Sequence, residues 1–432
     1  ANGRNQLLAL SRPWISNTRG GKAFPECDSG GLPVVRAVYP SPSSRHRNPP
    51  MPAVLRTVTH AVLPALLLAM SIAGSAHAGE PAQATLPEHL LTDGPHVFRD
   101  ATGLHARWLC AGKVVAQEAR PGEHGSALLP AVCGYPRPLR LLPPAAASSA
   151  VLPMPSRVAA LSDIHGQFGL LRRLLRAHGI IDQDERWSFG DGALVVGGDV
   201  FDRGPQVTEA LWLLYGLQQQ AAAAGGAVHV VLGNHEAMVL YGDLRYVNPK
   251  YLETATRLGR PYPALFGPDS VLGQWLRTRP QMLRLGDTLF LHGGIAPENL
   301  DLALAIDATN AAYDGSLGLP KAQLKADPAT ARLYDGKRSP IWYRGYFNGE
   351  LDTAAVGTLV GKLGLQRIVV GHTTIGEVAS FHDGRIIAID SAIKRGKSGQ
   401  LLFIEGDSLS RGLIDGRREP LPALQEVPDD KE

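Results

Sequence analysis

Short apolar runs that each stop at a small group of Asp, His or Asn with glycine beside it constrain this chain more than any other feature. RVAAL ends in Asp163 and His165 (SDIHG), ALVV in Asp199, Asp202 and Arg203 (GGDVFDRG), and VHVVL in Asn234, His235 and Glu236 (GNHE). His292 in HGG follows TLFL, and His372 in GHT follows RIVV. The runs have strand length, and FGLLRRLLRAHGI and TEALWLLYGLQQQAAAAGG between them carry helical periodicity. Strands alternating with helices predict βαβ units. In an open α/β sheet, loops at the carboxyl ends of strands gather in one crevice, so the five clusters are expected to form one site.

Taken singly, each cluster reads as a turn with a capping residue. In combination they offer carboxylate oxygen, imidazole nitrogen and amide oxygen with no thiolate. That set suits divalent Mn, Fe or Zn and excludes a Cys-rich structural zinc site. Asp163, His165 and Asp199 can hold one ion. Asn234, His292 and His372 can hold a second, with Asp199 bridging, which gives the close metal pair used for in-line displacement at phosphorus.

With D-x-H-G, G-D-x-x-D-R-G, G-N-H-E, H-G-G and G-H-T in this order, roughly Arg157 to Glu405 resembles the calcineurin-like metallophosphoesterases. Within them it resembles the phosphoprotein phosphatase branch and its bacterial Shewanella-like phosphatases. The resemblance implies an α/β fold of the α+β sandwich type, a β-sandwich flanked by helices. It implies that Asp163, His165, Asp199, Asn234, His292 and His372 are metal ligands, that His235 protonates the leaving group, and that Asp202 orients His235. A water bridging two divalent ions is acidic enough to attack phosphorus directly. Planar guanidinium groups match two phosphate oxygens at once, which makes Arg203 and Arg344 (IWYRGY) the expected clamps. Glu236 is expected to support the site from behind, His229 to be a core histidine, and His382 to occupy a hairpin turn.

Two departures from the family pattern stand out. Ser162 precedes Asp163 where many members have glycine, and RIIAIDSAI replaces the tyrosine-bearing segment of the eukaryotic serine/threonine enzymes. The insertions around GDLRYVNPKY and DATNAAYDG are expected to roof the cleft, with Arg245 and Tyr246 as substrate contacts. The implied activity is phosphomonoester hydrolysis on a phosphorylated protein, at phosphotyrosine or phosphoserine/threonine, or on a small phosphomonoester. Dinucleoside polyphosphate hydrolysis and a non-catalytic envelope binding protein are the alternatives.

The 432 residues are 44% hydrophobic and 19% charged, values that exclude a disordered or fibrous chain. A formal charge of +3 gives no electrostatic case for a nucleic-acid partner. Met51, Arg56, the apolar run Ala61–Gly74 and Ala76-His77-Ala78 match a signal peptide cleaved after Ala78, against the alternative of a core helix or uncleaved anchor. The product would be periplasmic or secreted, with no stable membrane insertion after cleavage. Residues 1–50 would be an upstream extension foreign to the native protein. Past the cleavage point two cysteines remain, Cys110 and Cys133, expected to pair, with two buried free thiols as the alternative. The organisation expected beyond it is a small β-rich unit over 79–140, a linker or edge-packed segment over 141–156, a catalytic domain over 157–412, and a mobile tail over 413–432.

Overall fold

The computed structural model describes residues 87–88 and 91–427, so the expected upstream extension and signal peptide lie outside the described residues. Three antiparallel strands come first, β1 (Asp93–Asp100), β2 (Gly103–Cys110) and β3 (Lys113–Glu118). The short strands β4 (Arg120–Pro121), β5 (Ala127–Leu129) and β6 (Leu139–Leu141) form a second small sheet. Two six-stranded sheets follow. The first has the order β10-β9-β8-β16-β17-β18, with β8 (Arg157–Leu161), β9 (Ala193–Val196), β10 (Ala227–Val230), β16 (Gln400–Glu405), β17 (Ser408–Leu413) and β18 (Arg418–Pro420). The other runs β14-β15-β13-β12-β11-β7, from β7 (Val151–Leu152), β11 (Met282–Leu285), β12 (Thr288–Leu291), β13 (Arg367–Val370), β14 (Ala379–Phe381) and β15 (Ile386–Ala388).

Period-two alternation explains why the central strands are apolar on every residue. Val158, Ala160, Ala193, Val195, Leu402 and Ile404 belong to the core shared with the second sheet. Their neighbours Ala159, Leu161, Leu194, Val196, Leu401 and Phe403 belong to the core under the helices. That outer core is closed by α1 (Phe168–Ala177), with Phe168, Leu171, Leu174 and Leu175 buried at helical spacing, and by α2 (Val207–Ala223). The structure therefore has the sandwich expected from the sequence, with both faces of the first sheet covered.

The two insertions between strands are mostly helical. The first holds α3 (Asn234–Leu240), α4 (Pro249–Leu258) and α5 (Val271–Leu276). Asn248 caps α4 through its side chain on Lys250 N, Pro249 opens the helix, and Gly259 closes it in the left-handed conformation. The second holds α6 (Leu300–Leu304), α7 (Ile306–Ser316), α8 (Lys321–Ala326) and α9 (Pro328–Leu333), and α10 (Thr353–Lys362) precedes β13. No described helix is long and apolar enough to cross a membrane.

The expected boundaries need two corrections, and one open alternative is decided. The N-terminal strands are not set apart: Val97, Ala106 and Trp108 lie in the same core as α2 and α5, and Trp212 Nε1 donates to Pro95 O at 2.9 Å. Residues 141–156 take the edge-packed form, since β7 pairs with β11 and so belongs to the sandwich. The segment over 413–432 was expected to be mobile, yet as far as it is described it is bound. β18 pairs with β17, Ser380 N donates to Pro422 O and Leu424 N to Ser380 O, each at 2.8 Å, and Leu421, Leu424 and Val427 pack against the sandwich core. Apolar residues at a spacing of three in an otherwise polar segment are what attach it.

Cys110 and Cys133 form a disulfide joining the end of β2 to the loop before β6. Replacing both with serine is expected to lower unfolding free energy by about 3 kcal/mol, the loop-closure value for this separation, measured by urea titration, with reductant reproducing the loss in the parent. Glu185 is a second fixing point: buried, with φ 57°, it accepts from Arg137 Nε at 3.0 Å, Arg172 Nη1 at 2.7 Å and Arg176 Nη2 at 2.8 Å. Burial pushes its carboxyl up, and hydrogen bonds from Arg137 and Arg172 more than reverse this, leaving it below its ordinary 4.5. Its contribution is complete above the unfolded carboxylate range and fades as pH falls through the lower folded value. Glu185→Gln is expected to cost about 2 kcal/mol near neutral pH, because the half-exposed guanidiniums can still hydrate, and less in acid; chemical denaturation across pH checks both.

Candidate metal centre

All five sequence clusters arrive at one place. β8, β9 and β10 are parallel to one another, as are β12 and β13, so their carboxyl ends open together. The crevice is not that of a single open sheet: both sheets contribute, the first through Asp163, Asp199 and Asn234, the second through His292 and His372. Among the described residues, twelve non-glycine residues have positive φ, and six of them are Asp163, His165, Asp199, Asp202, Arg203 and His372. Backbone held in this sparsely populated region has to be stabilised by its surroundings and aims side chains where an ordinary turn would not. Gly198, at φ 95°, makes the convergence possible, since a Cβ there would sit 2.7 Å from both Gly233 N and His292 Nδ1.

Asp163, His165, Asp199, Asp202, Asn234, His235, His292 and His372 are all buried, none above 5% exposed. Asp199 is the centre. Its Oδ2 lies 3.1 Å from His292 Nε2, 3.6 Å from His165 Nε2 and 3.8 Å from His235 Nε2, while its Oδ1 accepts from His235 N at 3.0 Å. Two groups of donor atoms close enough to share an ion both include it, Asp199 with His292 and His372, and Asp199 with His165 and His235. The first, with Asn234 Oδ1 at 3.0 Å from His292 Nε2, coincides with the expected second-ion set. In the other group His235 stands where Asp163 was expected, and Asp163 Oδ1 lies 3.8 Å from His165 Nε2.

Backbone carbonyls orient two of the imidazoles. His165 Nδ1 donates to Phe201 O at 2.6 Å, which leaves its Nε2 lone pair toward Asp199. His292 Nδ1 donates to Gly197 O at 2.7 Å; burial opposes charge on this imidazole, but Asp199 raises it to about 9, so that its Nε2 donates to the carboxylate until a metal takes the proton's place. His235 Nδ1 faces Asp202 Oδ2 at 2.6 Å. Glu236 does what was expected of it: Oε2 accepts from Gly233 N at 2.7 Å and Asp199 N at 3.0 Å, and Oε1 from Val200 N at 2.7 Å and Phe201 N at 3.2 Å. One carboxylate thus ties the GNHE turn to the GDVFDRG loop. Ser162 Oγ donates to Asp163 Oδ2 at 2.7 Å, so the residue that replaces the family's glycine adds a support.

Charge and unmet valence both fit a cation. Burial and the neighbouring Asp390 and Asp199 push the Asp163 carboxyl up to about 7, the mark of a negative cluster short of positive charge. Burial holds His165 and His372 well below the usual imidazole range, leaving them neutral and able to ligate. Burial also works against charge on His235, and Asp199 and Asp202 outweigh it, so this imidazole is raised instead. His372 Nε2 is buried with no hydrogen-bond partner, an arrangement that is costly unless something outside the chain meets it. The residues present fit divalent metal.

The two arginines stand exposed at the mouth. Arg344 Nη1 donates to His372 O at 2.7 Å and Thr373 Oγ1 at 3.1 Å, within electrostatic reach of Asp163 and Asp199. The guanidinium of Arg203 lies 5.2 Å from the ring of Tyr246, and its backbone N donates to Tyr246 O. Tyr246, expected in the roof, reaches the site, with its ring 5.3 Å from that of His235; Arg245 instead pairs with Asp243 at 2.7 and 2.8 Å. His382 occupies the turn between β14 and β15, and His229 is a half-buried residue of edge strand β10. Sequence reasoning missed Asp390, fully buried, which accepts from Thr374 Oγ1 at 2.6 Å and Ala392 N at 3.0 Å and raises Asp163. The signal was present, since Asp390 also ends an apolar run, and β15 is parallel to β13.

Glu236→Gln would place an amide N–H against backbone donors. It is expected to weaken Mn²⁺ affinity by about 10- to 100-fold while the chain stays folded, measured by calorimetric titration beside circular dichroism.

Residues 156–375 match the family model for calcineurin-like phosphoesterase. Shewanella-like protein phosphatase 2 of Arabidopsis thaliana is 29% identical over 266 residues, covering 51% of this chain and 66% of that one. Shewanella-like protein phosphatase 1 of Plasmodium berghei is 33% identical over 142 residues, covering 32% and 39%, so the chain spans under two thirds of either relative. Among solved structures, the cold-active protein-tyrosine phosphatase of a psychrophilic Shewanella sp. is 41% identical with a TM-score of 0.71, covering 76% of this chain and 99% of that one. The chain belongs to the calcineurin-like phosphoesterase family.

Proposed function

We propose that this chain is a metal-dependent phosphomonoesterase that removes phosphate from proteins, with phosphotyrosine as the preferred substrate. The observation that carries the reading is Asp199, shared by two groups of buried donor atoms beneath two exposed arginines. The 41% identity to a protein-tyrosine phosphatase over nearly that protein's full length supports the substrate.

Two divalent ions, Mn, Fe or Zn, would be held by Asp163, His165, Asp199, Asn234, His292 and His372. Divalent metal supplies a Lewis acid that acidifies water and draws charge from phosphate oxygens. The rest of the work belongs to the chain. Arg203 and Arg344 hold the phosphate oxygens from the solvent side, with the guanidinium plane setting the orientation of the ester. His235 gives the proton of Nε2 to the departing oxygen, and Asp202, 2.6 Å from Nδ1, keeps the ring oriented and charged. The buried floor keeps bulk water from the remaining donor atoms. Export is part of the proposal, by a signal peptide over 51–78 cleaved after Ala78, and the Cys110–Cys133 disulfide supports an oxidising compartment.

Phosphate release from matched phosphotyrosine and phosphoserine peptides and a dinucleoside tetraphosphate, with and without Mn²⁺, tests the reading. Mn²⁺-dependent release is expected to be fastest from the phosphotyrosine peptide and to fall by roughly 10³-fold or more in Asp199→Asn. Cleavage of the nucleotide alone would overturn the substrate. His235→Ala is expected to lose about 10²- to 10⁴-fold on phosphoserine and much less on 4-nitrophenyl phosphate, whose leaving group needs no proton.

A further inference from the structure

A cavity of about 410 Å³ lies beside the metal centre, walled by Tyr241, Lys321, Leu324, Lys325, Tyr334 and Trp342. Trp342 is the partition: its ring stands edge-on to the imidazole of His372, with centroids 5.4 Å apart. The opposite wall is built by α8 and α9. Tyr334 is fixed there, stacked on the buried Tyr313 at 5.2 Å and hydrogen-bonded to Ser316 Oγ at 3.0 Å.

The cavity is apolar in its walls and positive at its rim. Lys321 and Lys325 are four residues apart on α8 and so project from one face. Lys321 Nζ sits 5.1 Å above the Tyr241 ring and only 4.0 Å from Asp243, whose carboxylate is already paired with Arg245. The one carboxylate of the lining, Asp335, is turned to backbone: its Oδ1 accepts from Lys337 N at 2.9 Å and Arg338 N at 2.7 Å. The rim thus carries two ammonium groups against one carboxylate of the lining, Asp335, and a share of Asp243 that Arg245 also claims.

We propose that this cavity binds an acidic side chain flanking the phosphorylated residue of a protein substrate, the methylenes lying against Leu324 and Trp342 and the carboxylate meeting Lys321 and Lys325. The proposal rests on the protein phosphatase reading. Trp342 lines the cavity and its ring stands 5.4 Å from that of His372, which places the cavity next to the point where the phosphate would sit.

The test compares a phosphotyrosine peptide carrying glutamate at the flanking positions, the same peptide with alanine there, and 4-nitrophenyl phosphate, which has no flank. The parent is expected to favour the acidic peptide by about 10-fold in kcat/KM, through KM, as two rim charge pairs allow. Lys321→Glu/Lys325→Glu is expected to abolish or invert that preference, Lys321→Arg/Lys325→Arg to keep it, and the change to be confined to the peptides. Equal use of both peptides by the parent, or an unaltered preference in the Lys321→Glu/Lys325→Glu variant, would overturn the cavity assignment. Hydrolysis of 4-nitrophenyl phosphate with neither peptide cleaved would instead overturn the protein phosphatase reading itself.

Discussion

A single buried carboxylate, Asp199, sets the terms for the rest of the molecule. It is 1% exposed and faces the Nε2 atoms of His292, His165 and His235 within 3.8 Å. An isolated carboxylate at this depth would be too costly to keep ionised. Its ionisation survives because imidazoles surround it: burial pushes the carboxyl up, and His292 and His235 more than reverse that, holding it well below its usual range. The proposed ions would complete the same balance, and would also meet the otherwise orphaned Nε2 of His372.

The fold exists around that point because strand ends are the places where a chain can change direction and still be rigid. Five parallel-running strand ends from two sheets deliver the donors, and the strands behind them are locked into two cores by alternate residues. The loops are then held by a few specific bonds: Glu236 to four backbone amides, and Asp163 to Ser162 and to His372 N at 3.0 Å. In the proposed reaction Arg203 and Arg344 bind the phosphate, and both stand exposed at the mouth, where their charge is hydrated.

Most of the centre was legible in the sequence, for a physical reason. Asp, His and Asn directly after apolar runs are expensive to bury and have few structural uses in combination, so their order carried the family, the sandwich and the convergence of the donors. Asp390 obeys the same rule, but it stands alone after its apolar run, with no second Asp, His or Asn beside it to mark a cluster. The place of His235, facing Asp199 through Nε2 while Asp163 stands back, depends on the positive φ of Asp163 and Asp199, which residue names do not reveal at non-glycine positions. The attachment of the N-terminal strands and of residues 418–427 was also hidden. Both depend on contacts between segments far apart in the chain, such as Trp212 with Pro95 and Leu424 with Ser380, and local composition at each end looked like that of a separate unit or a free tail.

The most direct test of the account is anomalous diffraction from crystals of the Mn²⁺-replete protein, recorded at the manganese edge. Two anomalous peaks are predicted, both within ligand distance of Asp199, one also contacting His165 and the other contacting His292 and His372. A single peak, or peaks that do not share Asp199, would contradict the paired centre on which the proposed chemistry depends.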